Sequence, residues 1–170
     1  PIGYCTRFLV SVKVGLSHLL QSFSTEEPIS LVTNNIFIGQ KLLWFHKKVF
    51  NDKKIEAVLN VTIEDNEPYF IVRDKSIQCL RVSVLDKTSP SNEQLERGVN
   101  WGLEQLSQGK NLYVHCSAGH ERSATFVVAL LLKAGECKTL AEAIEKIRRV
   151  RPQVRFVGNQ KEILEKWFKG

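Results

Sequence analysis

The sequence predicts an α/β fold: a single-domain sandwich with a small central mixed sheet flanked by helices. Three observations carry this expectation. Short apolar runs with period-two spacing, such as Leu80, Val82 and Val84, alternate along the chain with segments of helical spacing. Two helices mark their starts with capping boxes, Ser91 with Gln94 and Thr139 with Glu142. A short apolar strand, Leu112 to His115, runs through a glycine-containing loop into a mostly apolar helix over residues 122–134.

Residues 5–23 place Leu9, Val12, Leu16, Leu19, Leu20 and Phe23 at helical spacing, with Arg7, Lys13 and His18 interrupting. The stretch is too short to span a bilayer comfortably. It reads either as a helix packed on the domain, or as a membrane-surface helix or the tail of an upstream membrane segment. Ser24 to Pro28 reads as a linker. Residues 1–28 are therefore expected to form an amino-terminal segment, and residues 29–170 the main folded domain. Because the chain begins at Pro1, it is expected to be a processed chain or a piece of a longer one.

Asn35 to Gly39 reads as a strand ending at glycine, and residues 40–53 as a helix with alternating apolar and basic positions. Ile55 to Val61 is a buried-strand candidate. Residues 64–75 are polar, contain Pro68 and read as a loop. Ile77 to Leu85 is a strand by its alternation. The helix opened by Ser91 runs to about Ser107, with Gly109 ending it. The apolar helix over residues 122–134 is too short to cross a membrane and should be buried. Thr139 opens a helix to about Val150, Pro152 follows, and a last helix covers roughly residues 158–169.

A length of 170 residues suits one core, and 43% hydrophobic with 25% charged residues excludes a disordered chain. The net charge of +6 favours an anionic partner. Basic runs stop at two residues and zinc-finger spacing is missing, so no nucleic-acid module is expected. Cys5, Cys79, Cys116 and Cys137 are scattered, which fits neither a disulfide framework nor a metal site and implies an intracellular, reducing compartment.

The chemistry concentrates in Val114-His-Cys-Ser-Ala-Gly-His-Glu-Arg-Ser-Ala124. A strand-to-helix turn with a central glycine can aim successive backbone N–H groups into one concavity, and the helix adds the positive end of its dipole. Ser117, Ala118, Gly119, His120, Glu121 and Arg122 would line such a phosphate seat. A cysteine at its floor, Cys116, gains thiolate character from the helix terminus and from Arg122. The planar Arg122 fork binds two phosphate oxygens at once. Ser123 can hydrogen-bond the sulfur, and His115 can orient the loop from beneath.

His115-Cys116-Ser-Ala-Gly-His-Glu-Arg122-Ser123 resembles the signature loop of the protein tyrosine phosphatase superfamily. Asn35 to Gly39, Ile55 to Thr62 with Asn60, and Arg151-Pro152 through Asn159 and Gln160 resemble its dual-specificity branch. The resemblance covers about residues 30–170. It implies a general acid from a loop about thirty residues before the cysteine, where Asp86 stands; Asp74 and Asp65 are rivals farther upstream.

It also implies hydrolysis through a phosphocysteine intermediate, with no metal and no cofactor. The expected substrate is a phosphotyrosine- and phosphoserine/threonine-bearing protein, because the short segment before the acid loop implies a shallow cleft. A phospholipid, such as a phosphoinositide or phosphatidylglycerophosphate, is the alternative, with peripheral membrane contact through residues 5–23. Glu121 is expected to repel polyanionic head groups. An inactive phosphate-binding module is disfavoured by the intact Cys116, Arg122 and Asp86.

Overall fold

The computed structural model describes residues 27–169. The segment expected to be helical over residues 5–23 lies outside the described residues.

Five strands form one sheet in the order β1-β2-β5-β3-β4. They are β1 (Ile29–Leu31), β2 (Ile36–Gly39), β3 (Ala57–Asn60), β4 (Gln78–Arg81) and β5 (Leu112–His115). β1 pairs antiparallel with β2, and all other pairings are parallel. The sheet is therefore mixed, as expected.

The three central strands are buried along their whole length, as strands covered on both faces must be. Their side chains alternate between two cores. Ile36, Ile38, Ala57, Leu59, Leu112 and Val114 enter the larger one. Phe37, Val58 and Tyr113 enter the smaller one with Phe50, Ile55 and Ile71.

The helices are α1 (Lys47–Asp52), α2 (Tyr69–Val72), α3 (Asn92–Ser107), α4 (Arg122–Lys133), α5 (Leu140–Val150) and α6 (Gln160–Lys169). A 3-10 turn at Trp44–His46 leads into α1. Every residue of α4 from Arg122 to Leu132 is buried, because the helix packs on β2 and β5 and also against α3, α5 and α6. α3 approaches it on a glycine face: a Cβ on Gly98 would stand 2.6 Å from the Phe126 ring, and one on Gly102 2.9 Å from Leu130.

Four local expectations change. Residues 64–75 hold the one-turn helix α2, because the Pro68 carbonyl accepts from Ile71 and Val72 N–H and Ile71 is buried. The strand expected over Ile77 to Leu85 shortens to β4. The last ladder bond runs from Val82 N–H to Asn60 O, where β3 ends, although Val82 and Val84 stay buried. The helix expected over residues 40–53 begins only at Trp44. The strand β1 follows the linker at a position the sequence reading left unassigned.

The box at Ser91 is complete: Gln94 N–H donates to Ser91 Oγ at 3.1 Å and Ser91 N–H to Gln94 Oε1 at 2.8 Å. At Thr139 only half forms. Thr139 Oγ1 accepts from Glu142 N–H, whereas the Glu142 carboxylate accepts from Lys138 N–H.

Candidate active site

In a parallel sheet the chain leaves every strand on the same edge, where α/β folds gather their ligand sites. Here four exits converge on one spot. β2 leads to Lys41, β3 to Glu64, Asp65 and Glu67, β4 to Asp86, and β5 to Cys116 and the loop that ends at Arg122.

Cys116 lies at the floor, 3% exposed. Its Sγ accepts from Gly119 N–H at 3.2 Å and stands 3.3 Å from Ser123 Oγ. Burial is the largest influence on this thiol and opposes ionisation. The Ser123 hydroxyl and N–H, the Arg122 charge and the Gly119 N–H outweigh it and hold the thiol below its ordinary range. The other described cysteines behave oppositely. Cys79 is pushed up to about 11 by desolvation and then by the Glu67 charge, and Cys137 is raised by desolvation.

Arg122 is 2% exposed at the start of α4. Its Nη1 donates to Val84 O at 3.0 Å and its Nη2 to Ser117 Oγ at 3.0 Å. Both Nη atoms meet the Glu64 carboxylate, at 2.9 and 2.5 Å. Desolvation raises the Glu64 carboxyl, but its bonds from Arg122 and Ser117 bring it down to about 2. Asp86 Oδ1 stands 3.0 Å from Arg122 Nη2 on a 60% exposed side chain. The loop carrying Asp86 is tethered from behind. Gln160, fully buried, donates to Thr88 O at 2.9 Å, and Ser89 Oγ donates to Asn159 Oδ1 at 2.5 Å.

A second layer sits beneath the sulfur. The His115 ring is buried against Cys116, its Nε2 2.9 Å from Glu67 Oε1 and its Nδ1 3.3 Å from Cys116 O. Burial alone would lower His115, but the Glu67 charge and hydrogen bond raise it above its ordinary value. Glu67 is lowered by the same pairing, against its own desolvation. Asn60, at the end of β3, ties this loop together. Its amide N–H donates to Glu67 at 2.8 Å and to Asp65 O at 3.0 Å, and its carbonyl accepts from Thr62 N–H and Oγ1.

Of the residues singled out from the sequence, His115, Cys116, Ser117, Gly119, Arg122, Ser123 and Asp86 assemble at this spot. Glu121 differs from expectation in direction: its carboxylate accepts from Arg155 Nε at 2.7 Å, so it turns from Arg122 and its charge is balanced. Of the rival acids, Asp74 caps Ser76 on the approach to β4, and Asp65 is buried against Lys41 Nζ at 2.8 Å. Sequence reasoning missed Lys41, Glu64, Asp65 as a buried partner, and Glu67. The signal that could have found them is their position just after parallel strands that neighbour β5 or β3.

Gly119 adopts φ +79°, and a Cβ there would stand 2.4 Å from the Gly39 carbonyl carbon. A Cβ on Gly39 would in turn stand 2.0 Å from Pro28 O. The loop, the end of β2 and the chain before β1 are thus stacked backbone against backbone.

The family model for the dual specificity phosphatase catalytic domain matches residues 36–169. The chain is 32% identical over 130 residues to the phosphatidylglycerophosphatase and protein-tyrosine phosphatase 1 of Rattus norvegicus, covering 72% of this chain and 66% of that one. The match thus spans just under two thirds of that relative. It is 25% identical over 150 residues to dual specificity protein phosphatase 1 of Arabidopsis thaliana, covering 84% of this chain and 70% of the other. Among solved structures, PTPMT1 in complex with PI(5)P superposes with a TM-score of 0.75 at 25% identity, covering 84% of this chain and 96% of that one.

Proposed function

Given that the chain belongs to the dual specificity phosphatase catalytic-domain family, we propose that it hydrolyses a single phosphate monoester on a phospholipid head group, through a phosphocysteine intermediate. Cys116 Sγ attacks phosphorus while Asp86 protonates the departing oxygen. Asp86 then takes a proton from the water that releases phosphate. The loop amides, of which Gly119 N–H points at Cys116 Sγ, and the Arg122 guanidinium hold the equatorial oxygens in both steps. Ser123 stabilises the thiolate when sulfur is the leaving group.

One observation carries the choice of a lipid: large apolar side chains stand exposed beside the acidic mouth. Ile63, next to Glu64, is 53% exposed, Leu85, next to Asp86, is 60% exposed, and Trp44, just beyond Lys41, is 79% exposed. Such residues suit a membrane interface. The rat relative is named for both phosphatidylglycerophosphatase and protein-tyrosine phosphatase activity, and the similar PTPMT1 structure in complex with PI(5)P supports the lipid choice.

Glu64 and Asp86 at the mouth oppose head groups carrying several phosphates, which favours a lone monoester. Peripheral membrane contact through residues 5–23 belongs to this proposal. Among the described residues no helix is long and apolar enough to cross a membrane.

The second reading, dephosphorylation of proteins, is supported by the similarity to the Arabidopsis protein phosphatase across 84% of this chain. The two are separated by turnover of phosphatidylglycerophosphate in vesicles against a phosphotyrosine peptide with one preparation. The lipid should win in kcat/KM by about 10-fold or more. A preference for the peptide reverses the assignment, and turnover of neither removes both.

A further inference from the structure

The peptide carbonyls of residues 117–121 in the catalytic loop each accept a hydrogen bond from the protein. Ser117 O accepts from Lys41 N–H at 3.1 Å, His120 O from Arg155 N–H at 3.1 Å, and Glu121 O from Thr125 N–H at 3.1 Å. The two carbonyls at the apex of the turn have a different kind of donor. Ala118 O accepts from Arg151 Nη2 at 3.1 Å, and Gly119 O accepts from Arg151 Nε at 2.9 Å. Arg151 sits just past α5, remote from the loop in sequence, and is fully buried. Its Nη1 reaches the other way, to Glu27 O at 3.0 Å and Ser30 Oγ at 3.1 Å.

We infer that Arg151 is a positioning residue for the phosphate seat: its fork fixes two loop peptides with their N–H groups inward and fastens the loop to the chain leading into β1. A peptide plane held by its carbonyl cannot turn its N–H away. Gly119 N–H is one of the groups so aimed, and it points at Cys116 Sγ. A guanidinium suits this task because its rigid, planar donors bind both carbonyls of a turn at once, whereas an ammonium is a single compact point. A charged donor also strengthens each bond. The link to Glu27 and Ser30 means that the amino-terminal approach to the sheet and the cup share one clamp.

The inference rests on the loop being the phosphate seat, so vanadate binding by the unmodified full chain is measured first. Absence of binding overturns both the proposed function and this inference. If vanadate binds, Arg151→Lys should lose about 100-fold in kcat on a soluble aryl phosphate and weaken vanadate by a similar factor, while KM moves little. The pH profile of Cys116 alkylation should shift to higher pH in the same variant, because the Gly119 N–H no longer points steadily at sulfur. A purely structural role would lower the melting temperature and leave that profile unmoved.

A folded Arg151→Lys protein with unchanged vanadate affinity and alkylation profile overturns the inference. If Arg151→Lys does not fold, Ser30→Ala decides. It removes one Nη1 partner, so vanadate affinity should fall in the same direction by a smaller factor, and unchanged affinity overturns the inference.

Discussion

Glu64 holds both Nη atoms of Arg122, at 2.9 and 2.5 Å, in the way a carboxylate takes a bidentate fork. With its carboxyl lowered to about 2, against desolvation, this side chain stays ionised above roughly pH 4 and so competes for Arg122 under all working conditions. Glu64→Gln should therefore tighten inhibition by orthophosphate and vanadate by about 5-fold, since removing one like charge at short range is worth about 1 kcal/mol. Inhibition constants read this directly. Weaker inhibition would instead show Glu64 supporting the arginine. The depressed carboxyl also stabilises the fold above its unfolded value of 4.5, and that contribution is lost as pH falls from 4.5 towards 2. The variant should unfold with a flatter acid dependence across that window.

Glu67→Gln addresses the layer under the sulfur. Without the carboxylate, buried His115 loses the largest influence that raises it, and desolvation pulls it down. A ring that holds its proton less firmly leaves the Cys116 thiolate with less positive charge beside it. The acid limb of kcat/KM and the alkylation midpoint of Cys116 should both move to higher pH. The stability side has the matching sign. The raised His115 contributes fully below its ordinary 6.5 and loses that contribution as pH rises through the folded value. Glu67→Gln should remove this alkaline loss, and profiles that coincide with the unmodified protein would sink the argument.

Cys116→Ser should abolish turnover while keeping orthophosphate binding, because the loop amides and Arg122 are untouched. Calorimetry on the variant checks binding, and phosphate release checks turnover. Turnover near that of the unmodified chain would take Cys116 out of the mechanism.

Asp86→Asn should hurt in proportion to how badly the leaving group leaves. Alkyl phosphates should slow by roughly 100- to 10,000-fold, the range of general acid catalysis, and nitrophenyl phosphate far less. A uniform loss across leaving groups would reduce Asp86 to a turn residue, with Asp65 and Asp74 next to be tested.

What the sequence disclosed followed the range of the forces involved. The loop from His115 to Ser123, the strand before it and the cap at Ser91 are written in contiguous residues, so spacing alone found them. The one-turn helix α2 escaped because four residues carry no periodicity, and what holds them is the burial of Ile71 and the bonds to the Pro68 carbonyl. Glu64 and Glu67 looked like an ordinary acidic loop, since the parallel pairing of β3 with β5 brings them to Cys116. Asp86 was reachable from the family resemblance, but not its ion pair with Arg122. The tethering of its loop by Gln160 joins residues 72 positions apart and leaves no local trace.

The stacking of Gly119 on Gly39, and of Gly39 on the chain at Pro28, has a consequence for how this protein can change over time. At Gly119 two requirements coincide, a positive φ and empty space, so no natural replacement meets both. At Gly39 the backbone is unremarkable and only space is demanded, with a Cβ meeting the Pro28 carbonyl oxygen first and the buried Tyr113 side chain next. Neither position can be relieved by altering the other's neighbours, because the nearest obstructing atoms are peptide carbonyls that every residue type carries. In a saturation library selected for function, both columns should collapse to glycine, while Gly109 and Gly135, whose Cβ would meet nothing within 4 Å, should tolerate the residues that accept a left-handed backbone.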